Sequence, residues 1–176
     1  MALAGITDGL AWGSESKEAA LERLMTMHER LVLRTAWRML GNREDAQDAA
    51  QDVFMRLYRH LGNVDERAAQ SWLYRTTVNV CYDVLRRRPK TGELLVEPSF
   101  NPAADAALEA ADKRKLLEAG LKRLSAQERA AVVLCSIEGL SSAEAAAALG
   151  VTEGTVRSHL SLARARLKDY VGRFWR

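Results

Sequence analysis

All three prolines of the chain, Pro89, Pro98 and Pro102, fall in one short stretch that also holds Gly92 and Asn101. On both sides of it, apolar residues recur at three- and four-residue steps, and nowhere does a period-two alternation survive. A proline inside a helix removes a backbone hydrogen bond and clashes with the preceding turn. The stretch therefore divides the sequence into two helical halves, and the fold class is all-α: two small helical domains joined by a flexible linker. The 176 residues suffice for two such units, each with a modest core. The expected organisation is a loose N-terminal tail at 1–15, a first domain at 16–88, the linker at 89–103 and a second domain at 104–176. A linker of that length lets the two domains sit on different surfaces of one partner.

In the first half, Ser14 or Ser16 can cap a helix whose apolar positions are Leu21, Leu24, Met25, His28, Leu31, Val32, Ala36, Met39 and Leu40. Gly41-Asn42 ends it. A second helix at about 43–61 carries the stripe Ala46, Ala50, Val53, Leu57 and Leu61, widened by Ala49, Phe54 and Tyr58. A third runs from about residue 66 or 69 to 88, with Trp72, Leu73, Thr76, Val80 and Val84 on its inner side. Its terminal arginines suit the helix dipole, and Pro89 stops it. Trp72 reads as core; Tyr74 is open to either core packing or base stacking.

In the second half, a helix begins near residue 104 and reaches 120 or 124. Ser125 with Glu128, and Ser141 with Glu144, have the spacing of capping boxes. The first box opens a helix ending near Glu138-Gly139; the second opens one ended by Gly150. The last helix starts at Thr152 or Glu153 and runs to about Gly172. The final pair is a helix-turn-helix pattern. Ala146 is small enough for close crossing, Gly150 tolerates positive φ in the turn, and Leu149, Val151, Val156 and Leu160 are spaced to pin the second helix. Glu153, Thr155, Arg157, Ser158, His159, Ser161 and Arg164 are then left for its outer face. Hydroxyl and guanidinium groups bond phosphates, and Arg and His reach base edges.

The net charge of +3 conceals an uneven distribution. Glu44, Asp45, Asp48 and Asp52 make the second helix acidic, with Asp45, Asp48 and Asp52 sharing one face and Gln51 beside them. Arg86, Arg87, Arg88 and Lys90 form a basic run, and Arg157, Arg164, Arg166, Lys168, Arg173 and Arg176 make the C-terminus basic. Separate acidic and basic surfaces imply two kinds of partner, one of them a polyanion. Cys81 and Cys135 lie far apart in apolar contexts, which speaks for buried structural thiols in a reducing compartment. No signal peptide and no run of about 20 apolar residues is seen, so the expectation is a cytoplasmic chain without membrane insertion. His28, His60 and His159 are dispersed, so neither a metal site nor a cofactor is expected.

Two sets of motifs carry a family resemblance. Leu124-Ser-Ala-Gln-Glu-Arg129, Glu138-Gly-Leu and the run Gly150-Val-Thr-Glu-Gly-Thr-Val-Arg-Ser-His-Leu-Ser-Leu-Ala-Arg-Ala-Arg-Leu167 closely resemble region 4 of extracytoplasmic-function (ECF) sigma factors. In that family the region reads the −35 promoter element in the major groove. The resemblance implies that Arg157, Ser158, His159, Ser161 and Arg164 face DNA, with Thr155 close to the backbone. His159 and Leu162 stand where the family usually carries arginines, and Ser142 and Ala145 where an aromatic residue and an isoleucine are common.

Asp48-Ala-Ala-Gln-Asp-Val-Phe54 resembles region 2.2, which docks on the β′ clamp of RNA polymerase. This implies that Asp45, Asp48, Gln51, Asp52 and Phe54 bind the core enzyme, in keeping with an acidic face steered to a basic partner. Ser71-Trp-Leu-Tyr-Arg-Thr-Thr-Val-Asn-Val-Cys-Tyr-Asp-Val-Leu-Arg-Arg-Arg88 resembles regions 2.3 and 2.4, which capture the unpaired −10 strand. Asn79 and Asp83 would read an exposed base, and Arg75, Arg86, Arg87 and Arg88 would hold the backbone.

The resemblance implies a promoter-specificity factor and not an enzyme. Its partners would be core RNA polymerase (the β′ clamp and the β flap), promoter DNA and an anti-sigma factor. A helix-turn-helix regulator working without polymerase is the alternative, but it has no use for Gln51, Asp52 and Asn79 in this arrangement.

Overall fold

The computed structural model describes residues 16–88 and 106–173, the side chains of 106–112 excepted. The expected tail and linker lie outside these residues. Among the described residues the regular structure is helical throughout. The order is α1 (Lys17–Leu40), α2 (Arg43–His60), α3 (Ala69–Arg87), α4 (Ala106–Lys122), α5 (Ala126–Ala131), α6 (Ser142–Leu149) and α7 (Glu153–Gly172).

Local chemistry sets most of the boundaries. Ser16 caps α1, its hydroxyl accepting from the Ala19 N–H at 3.2 Å. Gly41, at φ 66°, closes α1, and Asn42 immediately caps α2 by accepting from the Glu44 and Asp45 N–H groups. The expected end of α2 is shortened by one residue: Leu61–Asn63 and Glu66–Ala68 form two 3₁₀ turns before α3. Both capping boxes form, Ser125 with Glu128 and Ser141 with Glu144. The helix expected from Ser125 to Glu138 changes character part-way. After α5 the chain widens into a π-helical stretch, Val132–Ile137, and the Glu138 N–H reaches the Val133 carbonyl at 2.9 Å.

α1, α2 and α3 pack as a three-helix bundle around Leu24, Val32, Met39, Val53, Leu57, Leu73 and Val78. α5, α6 and α7 pack around Val133, Leu134, Ala145, Val156, Leu160 and Ala163. α4 runs along α7 and comes very near it at Gly120, where a Cβ would lie 2.9 Å from Leu167 Cδ2. The two halves share one continuous core, with α6 and α5 lying against α3 and the π-helical stretch against α1.

Polar groups tie the halves as well. Arg129 is buried, and its guanidinium donates to the carbonyls of Leu121 (2.8 Å), Lys122 (3.1 Å) and Leu124 (3.3 Å), and to Met39 (2.5 Å) at the end of α1. One cation thus gathers carbonyls around the C-terminal ends of two helices, where the helix dipole favours positive charge.

Candidate nucleic-acid and polymerase interface

The helix-turn-helix is built as its residues require. Gly150 sits at φ 67° and accepts no side chain there without strain. Thr152 caps α7, accepting from the Thr155 N–H at 3.2 Å, and the two threonine hydroxyls bond at 2.9 Å. Ala146, Val156, Leu160 and Ala163 are buried. Val151 differs from the expectation that it pins α7: it is 40% exposed, and its N–H bonds the Ala146 carbonyl instead. Arg157, Ser158, Ser161 and Arg164 are exposed, while Thr155 and His159 are half-buried. Arg157 is held by Glu153 at 2.9 Å across one turn. Leu162 stands 51% exposed beside this row. Arg166 is turned elsewhere, onto the buried Glu128 at 2.7 Å.

α3 offers a second polar surface. Arg75 and Asn79 are exposed between buried neighbours, Tyr74 and Thr76 on one side, Val78 and Val80 on the other. Asp83 pairs with Arg86, and Arg87 is exposed. Arg88 is partly withdrawn: it pairs with Asp45 and donates to the Leu40 carbonyl at 3.1 Å. The aromatic side chains of α3 are drawn toward the core. Tyr74 is buried, its hydroxyl 3.4 Å from Glu138 Oε2. Burial first, then the Glu138 carboxylate, pushes that phenol above its ordinary pKa. Tyr82 is half-buried, and burial raises it to about 12. Trp72 packs on the core, 6.4 Å from the His60 ring, as its place on the apolar stripe implies.

On α2 the acidic face divides. Asp48 is exposed, Asp52 pairs with Arg56 at 2.9 Å, and Asp45 turns toward Arg88. Beside Gln51, and missed by the sequence reading, lies an apolar groove of about 690 Å³ between α1 and α2. Leu21, Met25, Leu33, Phe54, Met55 and Tyr58 line it, with Gln47, Gln51, Glu29 and Arg59 among its polar residues. The available signal was Met25, an apolar stripe residue, together with Met55 one position beyond Phe54; both are more than a third exposed.

The thiols are structural in setting. Cys81 is fully buried, and loss of solvation raises it to about 12. Burial also raises Cys135. Among the described residues no group of His, Cys, Asp or Glu is placed to hold a metal ion, and no helix is long and apolar enough to cross a membrane.

Residues 24–91 match the family Sigma-70 region 2, and residues 114–167 match Sigma-70, region 4. The ECF RNA polymerase sigma factor SigE of Mycolicibacterium smegmatis is 37% identical over 169 residues, covering 93% of this chain and 66% of that protein. SigM of Mycobacterium tuberculosis is 37% identical over 154 residues, covering 87% of this chain and 78% of its own. The chain belongs to the ECF sigma factors of the sigma-70 family. These are promoter-specificity subunits of bacterial RNA polymerase, and the all-α fold agrees. Two solved structures resemble it. CnrH, in complex with the cytosolic domain of CnrY, has a TM-score of 0.64 at 26% identity, covering 93% of this chain and 92% of CnrH. RpoE of Bartonella quintana, in complex with the anti-sigma factor NepR, has a TM-score of 0.66 at 24% identity, covering 87% and 97%.

Proposed function

We propose that this sigma factor binds core polymerase through α1 and α2, holds the −35 element on α7 and traps the unpaired −10 strand on α3. The observation that carries this is the sorting of side chains on α7. Val156, Leu160 and Ala163 anchor the helix, while Arg157, Ser158, Ser161 and Arg164 form an exposed row beginning at a capped N-terminus. That is the geometry of a helix laid in the major groove. Residues 16–88 and 104–176 then act as two grips, one for each element. Leu162 adds an apolar contact suited to a thymine methyl group in place of a cation.

On α2, Gln51, Phe54 and the α1–α2 groove give polymerase an apolar seat, with Asp48 and Asp52 as its charged margin. Asn79 reads a base edge on α3, with Asp83 beside it, and Arg75, Arg86, Arg87 and Arg88 bind phosphates. Opening draws its energy from holding the separated strand, and the chain itself performs no chemistry. An anti-sigma factor is a fitting partner, since the solved structures that resemble this chain are complexes with CnrY and with NepR.

The direct test is transcription by purified core polymerase supplied with this chain. Promoter-specific transcripts, with −35 and −10 elements recovered from the selected templates, are expected. Failure to co-purify with core at any salt concentration would refute the reading and favour a regulator acting alone.

A further inference from the structure

The methionines of the described residues stand in contrasting settings. Met25 of α1 and Met55 of α2 line the α1–α2 groove, one from each helix, and are 37% and 47% exposed. Met27 is more open still, at 62%, but is not part of the groove's lining, and Met39 is fully buried. Buried Ala50 and Phe54 and half-buried Leu21 and Leu33 supply much of the remaining apolar wall. An unbranched thioether adapts its shape to a partner surface, which suits a docking groove. The same sulfur is open to two-electron oxidation wherever solvent reaches it.

The thiols are less open to attack. Cys81 is buried, and loss of solvation pushes it up to about 12. Burial also raises Cys135. Oxidants react with the thiolate, and near neutral pH neither cysteine supplies much of it. A thioether has no proton to lose first. A peroxide meeting this chain therefore finds accessible sulfur on methionine, and two of those methionines sit in the apolar groove assigned to polymerase.

We propose that Met25 and Met55 are a reversible oxidation site that controls docking on core polymerase, with hydrogen peroxide as the oxygen donor. The inference rests on the groove being the seat for polymerase. Peroxide transfers one oxygen atom to each sulfur: the S–O bond forms, the O–O bond breaks, water leaves, and each thioether gives up two electrons. The sulfoxide is polar, and pressed against an apolar partner surface it is desolvated without a donor to bond it. A methionine sulfoxide reductase restores the thioether with a dithiol, which becomes a disulfide as the oxygen leaves in water.

The full chain, treated with hydrogen peroxide and mapped by peptide mass spectrometry, is then titrated with core polymerase. Sulfoxide is expected at Met25, Met27 and Met55 and not at Met39. Core affinity should fall about tenfold, with −35 duplex binding by the same preparation unchanged. Reductase with dithiothreitol should restore it. Met27→Leu should keep the full sensitivity. Met25→Leu/Met55→Leu keeps the groove apolar; whatever its own affinity, it should bind core equally before and after peroxide. Conversion of Met27 with Met25 and Met55 left unmodified would overturn the site. So would undiminished binding after full conversion, or the same loss in the double leucine variant. A parallel loss of −35 binding would overturn it too, by showing that oxidation unfolds the chain. An untreated chain that never binds core would overturn the groove's assignment and the switch together, whereas each of the other failures leaves the sigma reading standing.

Discussion

Asn79 shows how a single side chain is oriented by its surroundings. Val78 and Val80 are buried on either side of it, so α3 cannot rotate, and the amide is held facing outward. Asn79→Ala should leave core binding intact and lower permanganate reactivity of the −10 strand about tenfold, the worth of one well-placed hydrogen bond. Arg164 lies in the exposed row of α7. Replacing it with alanine should weaken −35 duplex binding and reduce the slope of affinity against salt by about one ion. Cys81 responds to pH through burial alone among causes that raise it. An ordinary thiol ionises near 9, and in the folded chain Cys81 holds its proton to about 12. The unfolded chain loses that proton first, so stability is level below 9 and falls as pH rises toward 12. Urea titrations at pH 8 and pH 10.5 should show the lower midpoint at pH 10.5. Native Cys81 should resist iodoacetamide at pH 8, while the unfolded chain reacts.

At the scale of the element, caps and turns are the local devices that place each helix. Ser125 both accepts from the Glu128 N–H and receives Glu128 against its own N–H, and Glu128 also holds Arg166 of α7. Ser125→Ala should cost about 1 kcal/mol in equilibrium unfolding. Gly150 is held in the left-handed region, and a Cβ there would meet Arg75 Nη2 only at an ordinary contact distance of 3.9 Å, so strain and not collision governs substitution there. Gly150→Val should cost about 1–2 kcal/mol and misalign α7, lowering −35 affinity more than stability alone explains. The π-helical stretch has no such local signature. Val132, Val133 and Leu134 are all buried within it, which suits a regular helix equally well. The wider turn belongs to a chain that must bring Glu138 to α1 while seating those three side chains, a requirement set from outside the segment.

For the whole molecule, separate surfaces have to serve separate partners. Asp52 lies on α2, on a different helix from the α7 row. Asp52→Arg should therefore reduce core binding about tenfold or more through like-charge contact with a basic partner, with −35 duplex binding by the free chain unchanged. Gel-shift and core co-purification measured on one preparation check both halves of that statement. An equal loss of both would mean that the variant has unfolded.

Much of this was legible in the chain itself. The proline cluster, the periodicity, the Ser-x-x-Glu boxes and Gly150 are local: each acts within a turn or two, so their consequences can be read without a tertiary structure. The exposed row on α7 follows from the same periodicity. The α1–α2 groove was not legible, because Met25 and Met55 look like core until two helices are set side by side and leave them at the rim. Nor was the occupation of Tyr74 by Glu138, whose partners stand at sequence separations of 64 to 104 residues. Sequence alone determined the helices, their caps, the helix-turn-helix and the family. Only the tertiary structure decided which carboxylates remain available and that the two helical halves share one continuous core. Long-range ion pairing and burial depend on which faces meet, and no period in the chain encodes that.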